Sequence, residues 1–159
     1  MGYCKRTKQV ACVDSIRAFL EWAREEKKPE EQDSINAALE YLREVTSSRK
    51  TLVIAAGDLA HVGPAFGDPE PLDTIALAKL TAEDNQSIAA ICDGDGDAFL
   101  EHSRRDSDAR RICGLSSIYM TLKLVDGAKG ESMGYDQCPA DADGGSVVSI
   151  AGVLLYEPS

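Results

Sequence analysis

The chain reads TLVIAAGDLAHVGPAFGD from Thr51 to Asp68. Its first six residues, Thr51–Ala56, have the length and composition of a buried β-strand, and the residues that follow are rich in Gly, Asp and His. Proteins of the α/β class commonly place their chemistry in a loop at the carboxyl end of such a strand. This stretch therefore predicts an α/β fold with a functional loop that begins at Gly57.

Two side chains of this loop can bind a ligand or move a proton. Asp58 offers a hard oxygen donor and His61 offers an imidazole. One helical turn over these residues would point both side chains the same way. In a purely structural alternative, Asp58 caps the turn and His61 donates to a carbonyl group, and the loop alone leaves both interpretations open.

A second segment, RRICGLSSIYMTL, runs from Arg110 to Leu122. It places Cys113 just before a predicted helix. The positive end of that helix, with Arg110 and Arg111 nearby, favours the thiolate form of the cysteine. The alternative is a buried cysteine that only packs, because free cysteines are among the most buried residues.

Taken together, the two segments resemble the Memo family, known in bacteria and archaea as AmmeMemoRadiSam system protein B. The resemblance runs from about Val53 to Leu155, and more loosely back to Val10. The matching residues are Asp58 and His61 in a D-x-x-H pattern, Gly63, Phe66, Gly67, Asp73, Asp84, Ile112–Gly114, Tyr135, Asp136 and Gly145–Gly152.

The resemblance implies an α/β fold with a mixed β-sheet flanked by helices. The same fold is expected in the LigB-type class III extradiol dioxygenases. It also implies a cleft in which histidines and a cysteine bind a metal. By this resemblance Cys113 is a metal ligand, while His61 and Asp58 lie beside the metal, where His61 acts as a proton donor or supports a ligand.

The family's two metal-binding histidines lie in an amino-terminal half, and this sequence resembles only the carboxyl-terminal half. The chain contains two histidines, His61 and His102. We expect His102 to be a solvated surface residue because it falls in a polar helix. A complete metal site then needs another chain, or a substitute set of Asp58, His61 and Cys113, which can bind iron, copper or zinc.

Two classes of function follow from this comparison. The first is a metal-binding Memo-like protein with redox or oxygen chemistry, which as an enzyme would be a dioxygenase-like oxidoreductase. The alternative is a non-catalytic protein of half length that works by association, with radical SAM and AMMECR-type proteins as family partners. A homo-oligomer is expected in addition, because half of a larger fold exposes a sheet edge. A cysteine hydrolase built from Cys113, His61 and Asp58 ranks third, since it requires hydrogen-bond reach between distant segments.

Composition limits the partners and the compartment. A chain of 159 residues that is 43% hydrophobic can bury one core, so we expect a single domain over residues 1–159. The net charge of −10 disfavours nucleic acid and anionic membranes. No apolar run reaches the roughly 20 residues that span a bilayer. The five cysteines form no C-x-x-C pair, which is typical of reduced thiols in a cytoplasm.

Hydrophobic periodicity predicts an alternation of helices and strands along the chain. The segment Asp93–Asp97 is rich in Asp and Gly and is expected to be a turn with Asp97 as the helix N-cap. It lacks the Gly and Glu that a calcium-binding EF-hand loop needs. The remaining predicted elements are a strand at Lys8–Val13, a helix after Asp14 or Ser15, a helix from Ser34, a helix at Leu72–Cys92, a helix at Asp97–Arg105, a helix from Cys113 to about Val125, and strands at Glu131–Asp136 and Ser146–Tyr156 joined by Asp141–Gly145.

Overall fold

The structure is a computed structural model that describes residues 28–156. The predicted strand at Lys8–Val13 and the helix after it lie outside the described residues. Short 3-10 turns occur at Pro29–Glu31 and Pro64–Phe66. The helices are α1 (Asp33–Ser47), α2 (Thr74–Cys92), α3 (Gly96–Arg105) and α4 (Leu115–Leu124), and the strands are β1 (His61–Val62), β2 (Lys129–Pro139) and β3 (Val147–Tyr156).

The predicted central strand at Thr51–Ala56 is wrong for the described part of the chain. These residues have no regular secondary structure. Leu52 is 83% exposed and Ile54 is 74% exposed. Apolar, β-branched residues favour a strand, but a strand also needs a neighbour for its backbone groups. Among residues 28–156, no backbone group of residues 51–57 has a backbone hydrogen-bond partner.

The sheet is built on a long hairpin of β2 and β3. These strands pair antiparallel, with Asp136 opposite Ile150. β1 pairs antiparallel with the other edge of β3, where His61 lies opposite Val148, so the order is β1-β3-β2. The α/β class is confirmed, whereas the pairings within residues 28–156 are all antiparallel and not mixed. The connection between the long strands includes Asp141–Gly145, as expected.

The helices begin and end close to the predicted residues. α2 starts after Asp73, whose side chain accepts a hydrogen bond of 2.7 Å from the Ala76 amide. The N-cap of α3 differs from the prediction, since Asp95 and not Asp97 accepts from the Ala98 amide. Asp97 is instead engaged by the ammonium group of Lys123, 2.6 Å away. Asp97 lies inside the first turn, because the helix already begins at Gly96.

The main core lies between helices α2–α4 and the inner face of the hairpin. Its fully buried members include Phe99 of α3 and Tyr119 of α4, and the half-buried Tyr135, Ala151 and Val153 of the hairpin pack against them. Leu59 and Ile112 belong to the same cluster. Burial of such side chains contributes roughly 1.5–3 kcal/mol each, so the core fixes the two segments that precede β1 and α4.

None of the helices within residues 28–156 is long and apolar enough to cross a membrane.

Candidate metal centre

Two loops meet directly in front of α4. A Cβ atom on Gly57 would lie 2.5 Å from the Cα of Gly114, which is closer than any side chain allows. The amide of Gly114 donates a 3.0 Å hydrogen bond to the carbonyl of Asp58. Glycine is therefore required at both positions for the backbones to approach this closely.

Cys113 lies at the amino-terminal end of α4, directly before its N-cap Gly114. This position confirms the helix-terminal placement predicted from the sequence. The sulfur of Cys113 accepts a hydrogen bond of 3.2 Å from the amide of Asp58. The same thiol lies 3.7 Å from the carbonyl of Asp58, to which it can donate, and metal binding would take place through its thiolate form.

The structure brings Asp58, His61 and Cys113 together. One donor atom from each residue lies within 4.8 Å of the other two. The carboxylate of Asp58 is 3.9 Å from Nε2 of His61. Asp58 and Cys113 are exposed and His61 is half-buried, so solvent reaches the group.

Asp58 and His61 do not form the helical turn that we considered. The chain bends at Leu59 and enters β1 at His61. Leu59 and Ala60 are buried between them, and their amides donate to the carbonyl and hydroxyl oxygens of Ser149. Both side chains nevertheless reach the same side, because the bend replaces the helical turn.

Three contacts hold His61 in place, one through its backbone and two through its ring. Its backbone amide donates to the carbonyl of Arg110 at 2.7 Å. Its Nδ1 lies 3.3 Å from the carbonyl of Leu59, and the Phe66 ring packs nearly perpendicular to the imidazole at a centroid distance of 5.1 Å. A carbonyl group only accepts hydrogen bonds, so Nδ1 carries the proton of this contact, and Nε2 is the nitrogen that faces Asp58.

Arg111 joins the two loops from outside. Its guanidinium donates to the carbonyl of His61 at 3.0 Å and to the carboxylate of Asp68 at 3.1 Å. The amide of Gly63 donates to the same carboxylate at 2.7 Å. The hydrogen bond from Arg111 holds the pKa of Asp68 below its ordinary value.

Arg110 anchors the segment from inside the protein. Its guanidinium, with only 4% of the side chain exposed, donates to the fully buried carboxylate of Asp84 at 3.0 Å and to Asp106 at 2.6 Å. Burial alone would lower the pKa of Arg110, but the hydrogen bonds with Asp106 and Asp84 raise it. The hydroxyl of Tyr135 in β2 also donates to Asp84, at 2.9 Å.

These ion pairs change the roles expected for the two arginines. The sequence predicts that Arg110 and Arg111 add positive charge near Cys113. In the structure a carboxylate neutralises each guanidinium, and the arginines act by fixing the loops. The partners, Asp84 and Asp68, are 26 and 43 residues away along the chain, so no local spacing signals them.

His102 differs from its predicted solvated surface role. It is half-buried in α3, and its Nδ1 is buried with no hydrogen-bond partner among residues 28–156. Burial, with the charges of Arg105 and Arg110, lowers its pKa. It is not part of the group formed by Asp58, His61 and Cys113.

The sequence also matches a known protein family over most of its length. The family described as Memo-like protein matches residues 16–154, which is most of the chain. The chain belongs to the Memo-like family. No curated protein and no solved structure matches it significantly. The Memo resemblance is thus confirmed, while the similarity to LigB-type dioxygenases stays a prediction.

Removal of Arg110 should strongly destabilise this Memo-like protein. Arg110→Ala leaves the carboxylate of Asp84 buried without its cation, which typically costs about 3–5 kcal/mol of unfolding free energy. Urea denaturation followed by circular dichroism measures the loss. Arg105→Ala is the matched control, because the ion pair of Arg105 is exposed. Equal losses in the two variants would contradict the anchoring role.

The ion pair of Asp68 should make stability depend on pH. A carboxylate with a lowered pKa in the folded state stabilises it above the ordinary pKa, and the contribution is lost as pH falls through the folded value. Asp68→Asn should lower the free energy of unfolding by about 1 kcal/mol near neutral pH, and the loss is small because the ion pair is partly exposed. The difference from wild type should shrink below pH of about 4.

Urea denaturation at neutral and acid pH measures that difference. Glu70→Gln, at an exposed position in the same loop, is the control for loss of one negative charge. If the stability difference between wild type and Asp68→Asn stays constant down to acid pH, the charge of the Asp68 carboxylate is not what stabilises the loop.

Proposed function

We propose that this Memo-like protein binds a transition-metal ion at Asp58, His61 and Cys113 and uses it for redox or oxygen chemistry. The observation that carries the proposal is the convergence of three different donor groups within 4.8 Å. Cys113 and Asp58 are 55 residues apart in the chain. Their approach therefore depends on the tertiary fold.

The donor set fits iron, copper or zinc. Bond lengths of about 2.0–2.3 Å place neighbouring ligand atoms of a tetrahedral ion roughly 3.3–3.7 Å apart. The separation of 3.9 Å between Asp58 and His61 is close to that range. The proton on Nδ1 leaves Nε2 of His61 as the metal-binding atom. The Leu59 carbonyl orients the ring, as hydrogen-bond partners of ligand histidines do in many metal sites.

Three protein donors are typical of catalytic rather than structural metal sites, because they leave a position for water or substrate. A bound iron or copper ion would supply an electron-transfer centre, whereas zinc would supply a Lewis acid. In this assignment His61 and Cys113 hold the ion and Asp58 is the third donor. A carboxylate has two oxygens, so Asp58 can also accept a proton from a substrate hydroxyl group.

Metal content is the direct test of this proposal. Protein purified without oxygen or chelators should carry close to one equivalent of iron, copper or zinc by plasma mass spectrometry. Cys113→Ala and His61→Ala should each lose most of it, because two donors bind an ion far more weakly than three. Cys138→Ala is the matched control, since Cys138 is a free cysteine outside the cluster.

Wild-type protein without metal, or equal metal content in all three variants, would contradict the site. Circular dichroism of each variant separates the loss of ligands from the loss of the fold. If the metal is present, oxygen consumption with aromatic diols is the assay that addresses dioxygenase-like activity.

A second candidate function is association with other proteins, without catalysis. One face of β3 supports it, because Ile150, Leu154 and Tyr156 are large hydrophobic residues that remain exposed within the described part of the chain. Contiguous apolar surface of this kind commonly marks a protein interface. The partners that the family resemblance offers are radical SAM and AMMECR-type proteins.

Calorimetric titration with those two purified partners tests the second candidate. Binding to wild type should be lost in Leu154→Lys, which places a charge in the apolar face, and kept in Tyr41→Lys on α1. Tyr41 is the control because it is equally a large exposed hydrophobic residue outside the sheet. Absence of binding to wild type by either partner would contradict this function.

A further inference from the structure

The bend between Asp58 and His61 has the hydrogen-bond pattern of a β-bulge. In a regular antiparallel ladder that continues the pairing of β1 with β3, the Ala60 amide would donate to the Ser149 carbonyl. Instead, the Leu59 amide donates to that carbonyl at 2.9 Å, and the Ser149 amide donates to the carbonyl of Ala60 at 2.9 Å. Leu59 and Ala60 thus face the single residue Ser149, which is the arrangement that defines a bulge.

The bulge accounts for the meeting of the Asp58 and His61 side chains. Successive side chains of a strand alternate between its two faces, so residues at positions i and i+3 of a regular strand point to opposite sides. One extra residue between them restores a common side, and the carboxylate of Asp58 lies 3.9 Å from Nε2 of His61. Bulges next to functional sites commonly re-aim a side chain in this way.

A single hydroxyl group completes the hydrogen bonds of the bulge. The Leu59 amide occupies the carbonyl of Ser149, so the Ala60 amide donates to the hydroxyl of Ser149 instead, at 2.8 Å. Ala60 and Ser149 are both fully buried. Because a buried amide without an acceptor is costly, the hydroxyl supplies the acceptor that the bulge requires.

Serine is otherwise an unexpected residue at this position of β3. The fully buried Ser149 lies two residues before Ala151 and four before Val153, both of which pack against the main core from the same strand. Any residue at position 149 can provide the main-chain amide and carbonyl, whereas only a side chain with an acceptor atom can bind the extra amide. A hydroxyl in this apolar row therefore indicates a specific use.

We propose that Ser149 is a positioning residue of the candidate metal centre, whose hydroxyl holds the bulge that brings Asp58 and His61 to one side. The inference rests on the proposed function for the identity of the ligands, but the bulge itself does not depend on a bound ion. Without the hydroxyl, the Ala60 amide regains an acceptor when the ladder becomes regular and the amide takes the carbonyl of residue 149. Asp58 then turns away from His61.

Cobalt binding by the metal-free full chain tests the effect on the site. Co(II) titrated into the protein gives a dissociation constant without any assay of activity. Ser149→Ala should raise this constant by about tenfold, as the loss of groups that orient metal ligands commonly does. Ser149→Thr keeps the hydroxyl and should bind cobalt as wild type does.

The matched control is Ser146→Ala. Ser146 is equally buried, and its hydroxyl accepts from the Ala65 amide at 2.9 Å, on the far side of His61 from the bulge. Urea denaturation should show similar losses of stability in Ser146→Ala and Ser149→Ala, because each removes the acceptor of one amide. The dissociation constant for cobalt should rise in Ser149→Ala alone, and an equal rise in both variants overturns the inference.

A metal-free measurement separates this inference from the proposed function. Nuclear magnetic resonance of the wild type without metal should show Overhauser contacts between the Asp58 side chain and the His61 ring. Ser149→Ala should lose these contacts, and the Leu59 amide, which loses its acceptor to Ala60, should exchange faster with solvent. Ser146→Ala should keep both wild-type properties.

Each outcome decides the role of Ser149. Wild type without the contacts between Asp58 and His61, or Ser149→Ala with those contacts intact, overturns the inference. If Ser149→Ala does not fold, Ser149→Cys takes its place in the metal-free comparison, because a thiol of similar size is a weak acceptor, and the same two results decide. Wild type that binds no cobalt contradicts the proposed function, while the metal-free comparison still supports or overturns the role of Ser149.

Discussion

The buried ion pair between Arg110 and Asp84 is the constraint on which the rest of the site depends. It joins α2 to the segment before α4, and the hydroxyl of Tyr135 ties the same carboxylate to β2. A charge of this kind is tolerated in a core only when partners satisfy it fully. Because the carbonyl of Arg110 also accepts from the amide of His61, the geometry of the ion pair is transmitted to the imidazole.

The helices and the hairpin were predictable because patterns within short stretches of sequence specify them. Apolar spacing is sufficient to place α2 within two residues of its true start. The cap of α3 was predicted two residues too late, at Asp97 and not Asp95, because the segment has Asp at every second position and each Asp is a good N-cap residue. The strand at Thr51–Ala56 failed for a different reason, since strand propensity cannot supply the neighbour that a strand needs.

The candidate site shows the same division between local and long-range information. The sequence pattern identified Asp58, His61 and Cys113 through their resemblance to a family, and the structure places their donor atoms together. The pattern did not indicate that Asp68 and Asp84 neutralise the neighbouring arginines. Those pairs join segments that are far apart in the sequence, and no helix or strand repeat predicts them. They could therefore be known only from the tertiary fold.

The close contact of the Asp58 and Gly114 backbones has a consequence for how such a site can diversify. Main-chain hydrogen bonds and two glycines set where the loops meet, and the sulfur of Cys113 adds one further bond from the Asp58 amide. Position and donor chemistry are thus encoded largely by separate atoms. A lineage could exchange thiolate for imidazole or carboxylate, and so alter its preference between soft and hard ions, while the scaffold that presents them is inherited unchanged.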